Sequence, residues 1–260
     1  MLRTVAVEFT PVRTRRTFEE AVEQIAERIK LGDLRPGDRL PSERDLAGLM
    51  QISRPTVREA LKMLCDAGVV EVRPGSGGGA FVVSDRIPAE LVERQELRMS
   101  EVAGVLEARR LLEPRVAQLA ALYATDEDFE ALAHNIEQQR EVARLERFFD
   151  HEDRFLQLDL QFHLIIARST RNTTVVSLMR DLLRKLEIAR DMALHVELVP
   201  DWTIDVHERT LHAIRSADAE RIEIVMDEHL GKVERLWEEH SGRALVRRLP
   251  DFLRPIADRD

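Results

Sequence analysis

The sequence predicts a mainly α-helical protein with one small β-hairpin in its N-terminal third. Two observations indicate this class. Helical apolar spacing runs almost without interruption from about residue 88, and a pair of β-branched segments around a glycine loop lies before residue 84. Aromatic residues are scarce at 5% and charged residues reach 33% of the 260 positions, which is typical of a helix-rich globular chain.

The cysteine content and the apolar pattern exclude several classes of protein. A single Cys excludes a disulfide framework and a structural zinc site built from several thiolates. No apolar run approaches the ~20 residues that are needed to cross a bilayer. Residues 1–16 lack an apolar core followed by a small-residue cleavage site. A cytoplasmic protein without a membrane partner is therefore expected.

Three helices are predicted before residue 68. The first covers Phe18–Leu31, where the apolar residues follow helical spacing. A capping-box pattern at Ser42–Asp45 begins a second, short helix. After a tight turn, Ser53 can cap a third helix that extends to about Ala67. Pro55 suits its first turn because that turn does not need every backbone N–H group.

A glycine-tipped hairpin follows these helices. Val69–Arg73 and Ala80–Val83 are β-branched segments on either side of the glycines. Three helices and such a hairpin describe a winged helix-turn-helix, whose third helix enters the DNA major groove. The side chains expected to contact bases or phosphates lie where the second and third helices begin: Arg44, Ser53, Arg54, Thr56 and Arg58.

The pattern of this region has two other interpretations. The first is a small helical domain whose arginines are only solvated, and it stays open on pattern alone. The second is a nucleotide-binding glycine loop. It is set aside because the glycines lead into a strand and lack a Gly-Lys-Ser/Thr ending.

The distribution of charge matters more than its total. A net charge of −9 disfavours nucleic acid as a partner for the chain as a whole. Residues 1–84, however, hold 13 Lys plus Arg and 12 Asp plus Glu, a net charge of +1. The remaining residues hold 26 basic and 36 acidic side chains, so the excess acidity lies there. Because phosphate attraction depends on local charge, the first part can still bind DNA.

Helices fill the second part of the chain, as an all-α antiparallel bundle of six or seven. Ser100, Thr125, Pro200 and Asp218 are predicted helix starts. The helical pattern breaks near residues 124, 147, 170, 198 and 217. The predicted organisation is a DNA-binding domain at 1–84 with its core at about 17–84, a linker and domain start at 85–99, an effector and dimerisation domain at 100–242, and a tail at 243–260.

Four polar residues interrupt the apolar faces of these helices. Asp159 and His163 lie four residues apart on one face, and His207 and His229 lie on the apolar faces of two later helices. A lone inward histidine is usually a core residue, but a buried carboxylate is costly unless it is paired or bound to a metal. One Asp and three His together form a ligand set for a divalent metal, zinc first, with nickel and manganese as alternatives.

Arg109 also lies on an apolar face, in the helix near residues 102–119. One interpretation is a buried ion pair with Glu113, one helical turn further on. The other is a guanidinium directed at a carboxylate ligand beside the metal, since its planar fork binds carboxylates in a bidentate manner. The sequence leaves both open.

Three segments of the first part form a recognisable pattern: Gly37–Ala47, Ser53–Leu61, and Gly68–Arg73 followed by the glycine wing. Over about residues 18–83 this pattern closely resembles the GntR family of bacterial transcription regulators. The resemblance implies that operator DNA is contacted by Arg44, Arg54, Thr56, Arg58 and a wing glycine at or near Gly75. The run Gly77–Gly79 makes the wing longer than is usual in the family.

The second part carries a matching pattern: Glu107-Ala-Arg109 with Glu113-Pro, Asp159-Leu-Gln-Phe-His163, His207 before Ala213–Asp218, and Asp-Glu-His229-Leu. Over about residues 100–240 it resembles the FCD effector domain of the FadR branch of GntR regulators. In metal-containing members, the positions matching Asp159, His163, His207 and His229 bind the ion. Ser169–Asn172 departs from the Ser-Gly-Asn often found there, and Asn172 is retained as an expected effector contact.

Together these patterns predict a homodimeric transcription regulator that binds double-stranded DNA at a palindromic operator. A small organic acid is expected to chelate the metal, pair with Arg109 and change operator affinity. Repression is the commoner mode in the family and is the expectation. Two alternatives are kept: a metal-dependent, hydrolase-like enzyme domain fused to a DNA-binding module, and a metal-free dimerisation domain.

Overall fold

A computed structural model describes residues 17–75, 78–88, 91, 99–193 and 199–241. The chain divides into two compact units, Met1–Glu93 and Arg94–Asp260. The predicted tail at 243–260, most of the linker and the wing residue Gly77 lie outside the described residues. Within those residues, no helix combines the length and the apolar character that a membrane span requires.

The first unit contains three helices and a two-stranded antiparallel sheet, as predicted. The strands pair with Val70 opposite Val82 and Arg73 opposite Gly79. The predicted bounds agree with the observed ones to within one or two residues. The elements are α1 (Thr17–Lys30), α2 (Glu43–Met50), α3 (Arg54–Asp66), β1 (Val70–Arg73) and β2 (Gly79–Val82).

Side-chain caps fix where α2 and α3 begin. The Ser42 hydroxyl accepts a hydrogen bond from the backbone N–H of Asp45 at 3.2 Å, and the Ser53 hydroxyl accepts one from Thr56 at 3.3 Å. α2 ends at Met50, and the next residue, Gln51, has a left-handed φ of 55°. The predicted tight turn between the two helices is therefore confirmed. Apolar side chains of the helices and the sheet form one core beneath it, including Val22, Ile25, Ile29, Leu61, Leu64, Val69 and Val82.

The second unit consists of α-helices throughout its described part, with a short 3-10 helix at Phe148–His151. The helix ends agree with the predicted breaks. Thr125 lies just before α5, with its backbone N–H donating to Asp128 at 2.8 Å, and Asp218 accepts from the N–H of Arg221 at 3.0 Å in the first turn of α9. The six helices are α4 (Met99–Tyr123), α5 (Asp126–Ala143), α6 (Glu152–Ser169), α7 (Thr173–Ala193), α8 (Pro200–Arg215) and α9 (Ala219–Ser241).

Helix α6 lies at the centre of this unit. Twelve of its 18 residues are buried, and it packs against α4, α5 and α7. A helix buried on more than one side must be apolar around most of its circumference, and Phe155, Leu158, Phe162 and Leu164 are fully buried. Any polar side chain on α6 is therefore held away from water and needs a partner inside the protein.

The core of the first unit can be tested with two leucines. Leu64 is fully buried, whereas Leu49 is 75% exposed on α2. We expect Leu64→Ala to lower the free energy of unfolding of this unit by about 2–5 kcal/mol, because it removes apolar contacts and leaves a cavity. Leu49→Ala should change that free energy by less than about 0.5 kcal/mol. Hydrogen exchange of the α3 amides in the whole chain measures both, and equal loss of protection in the two variants would contradict this packing.

Candidate DNA-binding surface and metal centre

The N-terminal ends of α2 and α3 carry most of the predicted DNA-contacting residues, and Glu43 joins them. Its carboxylate accepts two hydrogen bonds from Arg58, at 3.0 Å from Nε and 2.7 Å from Nη2. Its Oε2 also lies 3.8 Å from Nη2 of Arg54. The hydrogen bonds from Arg58 lower the pKa of Glu43, although partial burial opposes the shift. The ionised carboxylate therefore holds two of the predicted DNA-contacting arginines in place.

The three arginines remain accessible despite these contacts. The side chains of Arg44, Arg54 and Arg58 are 84%, 61% and 65% exposed. The hydroxyls of Ser53 and Thr56 lie 2.7 Å apart within the cap of α3, so they also stabilise the start of that helix. The helix ends thus present three cations to solvent, as a groove-reading surface requires.

The wing begins at Gly75, whose φ of 105° lies in the left-handed region that favours glycine. The carbonyl of Gly75 accepts a hydrogen bond from the N–H of Gly78 at 2.9 Å. Arg39, which the sequence did not single out, donates to the carbonyl of Gly78 at 2.5 Å. A Cβ added at Gly79 would lie only 2.8 Å from Nε of Arg39. Arg39 therefore packs closely against the wing, and a DNA contact by Gly75 stays a prediction.

In the second unit, three helices bring the four predicted metal ligands together. α6 supplies Asp159 and His163 one turn apart, α8 supplies His207 and α9 supplies His229. One ligand atom from each residue lies within 4.8 Å of the others. All four residues are at most 3% exposed. Residues up to 70 positions apart in the chain therefore form one buried cluster.

The atoms of this cluster fit a divalent cation. Among the described residues, Nε2 of His207 and both ring nitrogens of His229 are buried without a hydrogen-bond partner. Burial lowers the pKa of His207 to about 3 and lowers the pKa of His229 well below its ordinary value. Both rings are consequently neutral at pH 7 and offer lone pairs. Neutral imidazoles with one carboxylate are a donor set that suits zinc and related ions.

Glu113 of α4 supports His163 from outside the cluster. Nδ1 of His163 lies 2.6 Å from Oε2 of Glu113, and Oε1 of Glu113 accepts a hydrogen bond from Nε of Arg109 at 2.5 Å. Burial alone would raise the pKa of Glu113, but the charge of Arg109 and the hydrogen bonds of Arg109 and His163 outweigh it and hold the pKa well below its ordinary value. The ionised carboxylate therefore orients the ring of His163, as carboxylates that contact a ligating histidine do at metal sites.

The predicted ion pair between Arg109 and Glu113 is present. It involves Nε of the guanidinium and leaves other N–H donors of Arg109 for further contacts. Nη2 of Arg109 lies 3.4 Å from Nε2 of His163, so the group borders the cluster. Within the described part of the chain, Nη1 is buried and has no hydrogen-bond partner. An unpaired buried donor costs about 1–3 kcal/mol, and a carboxylate is the partner that a guanidinium binds best.

Three further side chains of the unit contact the rings of His207 and His229. The ring of Phe162 stacks on His207 with a centroid separation of 3.9 Å, and Trp202 stacks on His229 at 5.9 Å. Gln139 of α5 places its amide oxygen 2.9 Å from Nδ1 of His207. The sequence did not indicate these contacts, because each depends on how side chains of different helices meet.

Asn172 stands apart from this arrangement. Its side-chain oxygen accepts hydrogen bonds from the backbone N–H groups of Thr174 and Val175, at 3.1 and 3.2 Å, and so caps the first turn of α7. The side chain is exposed. Its effector contact stays a prediction. His134 and His212 are exposed as well.

Both parts of the chain match known families. The model described as bacterial regulatory proteins, gntR family, matches residues 17–82, and the FCD domain model matches residues 104–232. The Uxu operon transcriptional regulator of Escherichia coli is 32% identical over 240 residues, which cover 87% of this chain and 89% of that protein. The E. coli Exu regulon transcriptional regulator is 31% identical, with 83% and 82% covered.

A third relative is the HTH-type transcriptional repressor NanR of E. coli, 30% identical over 84% of this chain and 82% of its own. Among solved structures, that of E. coli McbR/YncC aligns with 87% of this chain and 99% of its own at 19% identity, with a TM-score of 0.48. The relatives are transcriptional regulators rather than enzymes. The chain therefore belongs to the GntR family of bacterial transcription regulators and joins a DNA-binding unit of that family to an FCD domain.

Proposed function

We propose that operator binding by this regulator is controlled by a small organic acid held at a divalent metal in the second unit. The observation that carries the proposal is that the guanidinium of Arg109 borders four buried ligand side chains while its Nη1 has no hydrogen-bond partner among the described residues. Three imidazoles and one carboxylate favour zinc, with nickel or manganese as alternatives. In this proposal, residues 1–84 bind DNA, and residues 100–242 bind the effector and form the dimer. Repression is the expected mode.

The charges of the site favour an effector group with a single negative charge. Arg109 and Glu113 form a buried pair and cancel each other. A divalent ion would supply two positive charges, of which Asp159 neutralises one. A remaining buried positive charge is costly unless it is paired. One carboxylate would neutralise it and would also give Nη1 of Arg109 an acceptor.

The helices that supply these groups suggest how the signal is transmitted. Arg109 and Glu113 lie on α4, Asp159 and His163 on α6, and the other two ligands on α8 and α9. An effector that contacts Arg109 and the ligand cluster together therefore favours one arrangement of α4 against α6. α4 is the first helix of the unit and follows the linker in sequence. A shift of this helix is the proposed route to a change in operator affinity.

Exposed apolar side chains support a homodimer. Leu111 and Leu122 of α4 are 45% and 71% exposed, and Leu178 of α7 is 56% exposed. The two residues of α4 are eleven positions apart, which is close to three helical turns, so they share one face. Exposed apolar patches of this kind mark protein interfaces. A two-fold dimer would match the proposed palindromic operator.

Two alternatives are less well supported. A hydrolase-like metal enzyme usually keeps a ligand position for water beside three protein ligands. Here four protein side chains converge, and the relatives are regulators. A metal-free dimerisation domain would not explain why ring nitrogens of His207 and His229 and Nη1 of Arg109 are buried without hydrogen-bond partners among the described residues.

The metal site is tested with two histidines of α8. We expect the wild-type chain to purify with about one divalent ion per chain, and His207→Ala to lose most of it because a ligand is removed. His212→Ala removes an exposed histidine from the same helix and should retain the ion. Metal content by mass spectrometry measures this, together with the loss of thermal stability on chelation. Metal-free wild-type protein, purified without chelator, would contradict the site.

The carboxylate response is tested with two arginines of α4. Arg109→Lys keeps the positive charge beside Glu113 but removes the planar fork. We expect it to retain the metal and to lose the thermal stabilisation that small carboxylates give the wild-type chain, with affinity falling by roughly tenfold or more. Arg115→Lys changes an accessible arginine on the same helix and should respond like the wild type. An unchanged carboxylate response in metal-loaded Arg109→Lys would exclude Arg109 as the effector contact.

The DNA surface is tested with two cations of α3. A binding selection from random duplexes first defines the operator, and fluorescence anisotropy at fixed salt then gives the affinity. We expect Arg54→Ala to weaken operator binding by roughly 10- to 100-fold and to relax specificity, as the loss of a base contact does. Lys62→Ala removes an exposed cation near the other end of α3 and should preserve specificity. Unchanged specificity in Arg54→Ala would show that another part of the helix faces the bases.

A further inference from the structure

A chain of buried hydrogen bonds connects the backbone of α6 to the ring of His207. The side-chain N–H of Asn135 donates to the carbonyl of Leu158 at 3.1 Å. The side-chain N–H of Gln139 donates to the amide oxygen of Asn135 at 2.7 Å. The amide oxygen of Gln139 then lies 2.9 Å from Nδ1 of His207. Asn135 and Gln139 are 3% and 0% exposed, so water does not compete for these bonds.

The direction of every bond in this chain follows from its first member. A backbone carbonyl only accepts, so Asn135 must turn its NH2 group toward Leu158 and its oxygen toward Gln139. Gln139 must then turn its own NH2 group toward Asn135, which leaves its oxygen facing His207. An amide oxygen also only accepts, so the proton of the neutral ring is required on Nδ1. A flip of either amide would place two acceptors or two donors against each other.

A competing position for this proton exists on the other side of the ring. Nε2 of His207 lies 3.5 Å from Oδ1 of Asp159, and a proton on Nε2 would be attracted to that carboxylate. At 3.5 Å, however, the separation is longer than a normal N–H···O hydrogen bond, whereas 2.9 Å to Gln139 is ideal. The amide chain therefore favours the tautomer with the proton on Nδ1, which leaves the lone pair of Nε2 available. The tautomer with the proton on Nε2 has no such lone pair.

We propose that Asn135 and Gln139 act as positioning residues that hold the proton of His207 on Nδ1 and so keep Nε2 as a metal ligand before any ion arrives. The inference rests on the metal site proposed above. It also gives a reason for two buried amides on an otherwise apolar helix face, since such groups are costly to bury without a function or a partner. Leu158 directly precedes the ligand Asp159, so the same chain ties the backbone at one ligand to the ring of another.

The support of His207 differs in charge from that of His163. His163 faces the Glu113 carboxylate, which both fixes the ring and adds negative charge balanced by Arg109. Gln139 fixes His207 without adding charge. A carboxylate at position 139 would give the site a further negative charge and reduce its attraction for an anionic effector. The neutral amide is thus consistent with the charge balance proposed for the site.

The inference is tested by Gln139→Met, which conserves the side-chain volume and removes the acceptor. Nitrogen-15 NMR of the histidine rings, recorded on the full chain after chelator treatment, distinguishes the two tautomers. We expect His207 to be protonated on Nδ1 in the wild type and to move its proton to Nε2, facing Asp159, in Gln139→Met. Gln138→Met on the same helix, where the side chain is only partly buried, is the matched control and should keep the wild-type tautomer.

A second variant protects the test against misfolding. The double variant Asn135→Leu with Gln139→Met replaces both buried amides by apolar groups of similar size, a change that can be close to neutral for stability. It should show the same move of the proton to Nε2. Zinc affinity, measured by chelator competition, should fall by roughly 10- to 100-fold in both variants, because a hydrogen bond that orients a ligating histidine is lost. The Gln138→Met control should bind zinc like the wild type.

The outcomes separate this inference from the proposed function. A wild-type proton on Nε2, or an unchanged Nδ1–H tautomer in folded Gln139→Met, overturns the role of the amide chain. Wild-type protein that shows the Nδ1–H tautomer and its loss in Gln139→Met supports that role. If the same wild-type protein fails to bind zinc, nickel and manganese, the metal site of the proposed function is wrong, while the control of the tautomer by Gln139 stands.

Discussion

The second unit depends on the burial of one carboxylate and three imidazoles at the centre of a helical bundle. Such groups are stable there only when each is neutral, paired or bound. α6 imposes this constraint because most of its surface is buried and two of the four groups lie on it. Glu113 supports one ring from α4 and Gln139 supports another from α5. The buried polar groups of the cluster thus receive partners from two neighbours of α6, the helices α4 and α5.

The first unit meets a different electrostatic requirement, since it must keep cations together on its surface. Glu43 resolves this by bonding Arg58 in a bidentate manner and lying close to Arg54. One carboxylate lowers the repulsion between two arginines while both remain more than half exposed. The total charge of residues 1–84 is close to zero, and the acidic excess lies in the second part. An acidic total charge is therefore compatible with a DNA-binding surface.

The sequence predicted the helices and the four polar side chains that converge between them, because both leave local signals. Caps such as Ser42 and Ser53 define helix starts, and a polar residue on an apolar face stands out at helical spacing. The supports were harder to predict because they depend on contacts between helices. Asn135 and Gln139 are four residues apart on the buried face of α5. Their spacing places both amides on one face of the helix, but it does not show which groups of other helices they contact. The hydrogen bond from Arg171 to Asp128 was hard to predict for the same reason, since it joins residues 43 positions apart in the chain. The left-handed φ of 55° at Arg171 also leaves no local signal in the sequence.

The supports also bear on the effector contact that is proposed for Arg109. Its Nε is fixed by Glu113, and Glu113 in turn fixes His163, so the guanidinium plane is already aligned with the cluster. A carboxylate that binds Nη1 need not break this pair, because the guanidinium presents several donors in one rigid plane. In the proposed mechanism, binding would therefore add an interaction between α4 and the cluster without removing one. An effector shifts an equilibrium only by its differential affinity for two states. The proposed effector would then favour the arrangement that brings α4 and the ligand cluster closest.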